Sequence, residues 1–225
     1  MSDSVQGARR AAVWGLQAAG DSAVHSLLGV LQSSADHETL MRAADALGEA
    51  AVTPTAAVIS TLESTLLKLH DMLLSSSVYA GWQSGAEKRE QWMLHADTAA
   101  TGCVLAFSFI GLRAVAASDV AICEQILEVL LPYLKVSGPR IEYPADNHYH
   151  GYNYHGVHSA AVLAASSLCG LPTMAANPTL SAAILAETVE DQRLSNATHT
   201  AAQAMRVIEQ AKHSAGPVIP TVFVQ

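Results

Sequence analysis

Hydrophobic positions along this chain recur at helical spacing, and one block of them recurs at a fixed distance. "AAVWGLQAAGDSAVHSLLGVL" (Ala11 to Leu31) lies over "RAADALGEAAVTPTAAVISTL" (Arg42 to Leu62) at an offset of 31. In that register Leu16 falls on Leu47, Ala19 on Ala50, Leu27 on Val58, Leu28 on Ile59 and Leu31 on Leu62. Each block predicts an alanine-rich helix, a short Gly-Asp or Thr-Pro turn and a second apolar helix. One such pair cannot cover its own apolar face, so stacking pairs side by side is the physical solution.

A second echo joins "VHSAAVLA" (Val157 to Ala164) to "THTAAQAM" (Thr198 to Met205) at an offset of 41, with His158 over His199. Between them Asn177-Pro178 starts a helix whose inner face is Leu180, Ile184 and Leu185. In the middle, "DTAATGCVLAFSFIGLRAV" reads as a first helix and "SDVAICEQILEVLLPYL" as a second. Ser118 is its expected N-cap, and Ile122, Ile126, Leu127, Leu130 and Leu134 are its buried stripe. The expected units span about 5–33, 37–74, 86–135, 147–187 and 192–212 within one helical domain, 1–213. The tail 214–225, with "PVIPTVFVQ", is expected to be extended, along the last helix or without fixed structure.

"RRAAVWGLQAAGDSAVHSLLGVL" and "MRAADALGEAAVTPTAAVISTL" resemble HEAT repeats of the short, alanine-rich kind. That resemblance implies an all-α, right-handed α-solenoid of about four to five helical pairs. It specifies an architecture much better than an activity. Within the HEAT-like deoxyhypusine hydroxylases, His-Glu pairs directly before an Ala-Ala-x-Ala-Leu-Gly run hold two irons. Here "RAADALG" is preceded by Met41 and Arg42, His37-Glu38 lies about a turn earlier, and the pair does not recur. The carry-over fails, and His37 and Glu38 read as a helix start, with Asp36 as the expected cap.

Composition narrows the picture. Half of the chain is hydrophobic but only 5% is aromatic, so alanine, leucine and valine supply the apolar surface. A net charge of −8 argues against binding a nucleic-acid backbone, which requires clustered Lys and Arg. Cys103, Cys123 and Cys169 sit apart in apolar helical text, as free buried thiols of a reducing compartment do. The opening "MSDSVQGARR" has no apolar stretch of signal-peptide type, and no uninterrupted apolar run is long enough to span a membrane. The expectation is a cytoplasmic chain with neither nucleic acid nor membrane as partner. Because the chain begins inside a repeat, apolar surface there favours a homodimer, or a longer polypeptide.

The densest chemistry is "NHYHGYNYHGVH", Asn147 to His158, with four of ten histidines and three of six tyrosines. On a helix from about Asn147, His155 and His158 stand one turn apart and fit a pair of metal ligands, for Zn or Fe, with the third from elsewhere. Against that, His158 recurs as His199, as a packing position of a repeat does. Tyr149, Tyr152 and Tyr154 offer rings for stacking or hydrogen bonding. Two long connections add Tyr79 and Trp82 (in Ser75 to Asp97) and Arg140 and Tyr143 (in Val136 to Asn147). Emerging on one edge, they and the Tyr/His segment would line one groove for a protein or small ligand. No phosphate loop, GxSxG or positioned nucleophile occurs. The primary expectation is therefore a non-catalytic binding scaffold without a cofactor. The alternative is a helical accessory module of a larger enzyme, bilin-lyase-like or oxygenase-associated, and after that a metal enzyme using His155 and His158.

Overall fold

A computed structural model describes residues 15, 19–35, 37–50, 53–74, 86–134, 153–189 and 195–219. Among them the protein is all-helical, with no strand. In chain order the helices are α1 (Asp21–Ser33), α2 (His37–Glu49), α3 (Ala56–Leu74), α4 (Ala86–Ala116) and α5 (Val120–Leu134). They continue with α6 (Asn153–Leu168), the single turn α7 (Pro172–Ala175), α8 (Pro178–Val189) and α9 (Ser195–Lys212).

Local chemistry sets the boundaries. Gly20, at φ 53°, enters α1 through the left-handed region that glycine tolerates. The Thr55 hydroxyl accepts from the Val58 amide at the start of α3, and Asn177 Oδ1 accepts from the Thr179 and Leu180 amides at the start of α8. Ser118 is not the cap of α5. It adopts φ 57° and ends α4, with Ser118 N–H bonded to Val115 O and Asp119 N–H to Ala114 O. That pair of bonds is the Schellman termination, normally built on glycine. The cap of α5 is Asp119, whose carboxylate accepts from the Ile122 amide at 3.1 Å.

Two further expectations change. Residues 86–97, the start of the expected unit 86–135 but also read as part of the connection Ser75 to Asp97, form the first turns of α4. Leu185, expected on the inner face of α8, is 51% exposed, while Leu180 and Ile184 are buried. The stripe of α5 is buried as expected: Ile122, Ile126, Leu127, Leu130 and Leu134 are each 8% exposed or less.

Packing runs in two successions. Helices α2, α4, α6 and α9 touch one another in turn, and α1, α3, α5 and then α7 and α8 do likewise. The most extensive contacts are those of α4 with α6 and with α2. The first pair of each succession, α1 with α3 and α2 with α4, is parallel. At their starts, Thr53 before α3 donates from its amide and hydroxyl to the Asp21 carboxylate of α1. Towards their ends, the Thr65 hydroxyl reaches Leu31 O and Lys68 Nζ reaches Ser34 O. Likewise Met41 lies beside Gly102, and Gly48, farther along α2, lies beside Ala106 of α4. Across the successions, α3 packs on α4 and α5 on α6. The core is one continuous cluster from Ala23 to Ala211, with Phe107, Ile110, Ile126, Leu130 and Leu168 fully buried at its centre. One described segment, Ala99–Ala116 of α4, is long and apolar enough to cross a membrane, and 67% of it is buried within the fold.

Candidate functional site

Helix α4 has neighbours on three sides. Gly102 and Gly48 bring it against α2: a Cβ at Gly48 would lie 2.9 Å from the Ala106 Cα. Gly111 brings it against α6, where a Cβ would lie 2.5 Å from Ser167 Oγ. Cys103, Phe107, Ile110 and Ala114 face the interior. At 100° per residue, the remaining direction holds Thr101, Leu105, Phe109, Leu112 and Ala116. Leu105 and Leu112 are half-buried and Phe109 is 42% exposed. The outer face of the α2–α4–α6 succession is thus an apolar stripe along its longest helix. Leu163 of α6, also half-buried, stands one helix away.

At one end of this stripe Arg113 reaches from α4 to α2, and its guanidinium donates to Gly48 O at 2.7 Å. That carbonyl belongs to the last turn of α2, where backbone acceptors lack helical partners and a cation is favoured. Burial lowers the Arg113 pKa from its ordinary value, a cost that the carbonyl contact offsets. In the row, α2 is therefore held to α4 by close backbone approach and an ionic contact, and α6 by side chains seated on Gly111.

His158 lies on α6 and is 3% exposed. Its Nδ1 is 2.8 Å from the carbonyl oxygen of Tyr133, in the last turn of α5. A carbonyl can only accept, so Nδ1 carries the proton and points into the α5–α6 contact. One ring nitrogen is thus committed to capping a helix end. Tyr154 and His155 stand on the first turn of α6, known here by backbone position alone. Tyr79, Trp82, Arg140, Tyr143, Tyr149, Tyr152 and the cap Asp36 lie outside the described residues. Among the described residues, no three His, Cys, Asp or Glu side chains gather as metal ligands do.

Burial pushes all three thiols up to about 12, with neighbouring carboxylates adding to the shift at Cys103 and Cys123. All three are free and buried, so each is a neutral core group and none an activated nucleophile.

Sequence reading passed over the stripe because "VLAFSFIGL" is apolar on every face and its period is weak. Only the placement of α2 and α6, dictated by Gly48, Gly102 and Gly111, shows which side of the run is left open. Compared with protein-family models, with curated proteins and with solved structures, the chain matches none.

Proposed function

We propose that this chain is a non-catalytic interaction module, a HEAT-like right-handed α-solenoid that binds a protein partner on the outer face of its α2–α4–α6 row. The parallel first pair of each succession, together with the 31-residue offset in sequence, supports the stacked-pair reading. The observation that carries the binding role is the half-exposed stripe of Leu105, Phe109 and Leu112. An apolar row continuous over more than two helical turns is the surface on which a partner gains most by excluding water. An aromatic ring at its centre is the residue type that anchors such contacts. The Arg113 cap keeps the flanking helix end in register, so the surface is rigid before a partner arrives.

The test compares affinity capture by the wild-type chain with capture by Phe109→Ser. The reading expects one partner at stoichiometric yield with the wild type, at least tenfold less with the variant, and the same helix content in both. Equal recovery by the two chains, or substrate turnover by the isolated chain without a stoichiometric partner, sinks it.

A further inference from the structure

Beyond α9 the chain turns and reaches the α6–α7 connection. Ser214 Oγ closes a tight turn with Gly216, donating to its carbonyl at 2.7 Å and accepting from its amide. Residues 217–219 then run as non-helical chain over the α6–α7 turn rather than along α9. Pro217 and Ile219 are exposed, while Val218 between them is half-buried and packs on the core. This alternation is that of an extended strand laid on a surface. The Val218 amide donates to Gly170 O at 2.7 Å.

The seat is made for a backbone. The amides of Cys169 and Leu171 bond within the turn to Ser166 O and Leu168 O, while the Gly170 carbonyl faces the tail. The Val218 carbonyl sits where a Cβ on Gly170 would lie, and Val115 at the end of α4 walls the same spot. Only glycine admits a second main chain so closely. Main-chain bonding beside a half-buried side chain is similar to the way sheet edges capture extended peptides, here offered by a helix turn.

We propose that the surface around Gly170 is a docking seat for an extended segment, and that the tail of this same chain is its displaceable occupant. The ligand it takes has a β-branched residue with a free amide, flanked by outward-facing residues, as Val218 is by Pro217 and Ile219. Among the described residues of the tail, Val218 makes one backbone hydrogen bond to the seat and half-buries its side chain there. The tail therefore leaves without unfolding the domain, and a segment of like chemistry competes with it. The proposal is independent of the stripe on α4.

The full-length chain tests this with a labelled synthetic peptide spanning Gly216 to Gln225, followed by fluorescence polarisation. Val218→Pro removes the tail's donor and leaves the seat intact. Saturable peptide binding at least tenfold tighter to Val218→Pro than to the wild type is expected. Adding Gly170→Ala to that variant should abolish it, with helix content unchanged. Equal binding to wild type and Val218→Pro, or no binding to either, overturns the proposal. Global unfolding of Val218→Pro does so too, because the tail is then a structural part of the domain. A wild-type dimer that Val218→Pro dissolves places the tail on a second copy and overturns seating within one chain.

Discussion

Ala19 and Ala50 occupy equivalent places 31 residues apart, yet Ala19 is exposed and Ala50 is fully buried. Leu28 and Ile59 repeat the contrast: Leu28 is half-buried, and Ile59 is 3% exposed. Two glycines extend it. A Cβ at Gly29 of α1 meets nothing within 4 Å, whereas at Gly48 of α2 it runs into the backbone of α4. Among the described residues α1 packs on α2 and α3, while α3 packs on α1, α4 and α5. One sequence pattern thus yields two environments. A repeat residue is buried by the neighbours that stack on it, and its own unit supplies only part of the cover.

Raising the pH should separate the two regions most strongly, since the cysteines lie in α4, in α5 and just after α6, with none in the first two helices. Each thiol stays neutral when folded, its pKa raised from 9.0 to about 12. Their stabilising contribution is therefore complete below pH 9 and is lost as pH climbs towards 12, because only the unfolded chain ionises. Cys103 and Cys169 should each cost roughly 1 kcal/mol per pH unit in that window. Urea midpoints should fall steeply above pH 9, and the slope should shrink in Cys103→Ala/Cys169→Ala.

Ile59→Ala should cost about 3 kcal/mol, the usual loss at a closed core site, and Leu28→Ala about 1 kcal/mol. Equal losses in chemical denaturation would erase the distinction between the units. Gly48→Ala should cost about 2 kcal/mol, because backbone rather than a flexible side chain must give way. Gly29→Ala meets open space in a helix interior and should gain about 0.7 kcal/mol from propensity alone. Thermal unfolding of the two variants should shift in opposite directions.

What could be read from the sequence follows the same division. The buried set of the second unit, Leu47, Ala50, Val58, Ile59 and Leu62, was legible because period and offset agree. The start of α8 at Asn177-Pro178 was legible because capping chemistry is local. Ser118 misled because serine before an apolar run suits an N-cap, while its left-handed φ belongs to the end of the preceding helix. The first turns of α4 carried two readings, start of the unit 86–135 and part of a connection, because the polar run "EKRE" suits a helix surface and a loop alike. Leu185 misled because helical phase places it beside Ile184, and only the positions of α6 and α9 decide which of the two is covered. For the candidate site, His158 carried two readings, metal ligand with His155 and packing position, and its burial and bond to Tyr133 O bear on the second alone. Its acceptor, Tyr133 O, is a backbone atom 25 residues away that side-chain spacing does not encode. The α4 stripe needed its neighbours in place before it could be seen.

The glycines at 48, 102 and 111 have a meaning beyond tight packing. In a row of parallel helices, the spacing of each pair sets the angle at which the next one is carried. A few tenths of an ångström opened at Gly48 is multiplied along the row and moves α9 relative to α1. In the proposed stacked-pair arrangement, three single-codon positions therefore set the curvature of the row. Descendants of this chain could refit the row to a larger or flatter partner without altering one residue of the stripe proposed to bind it.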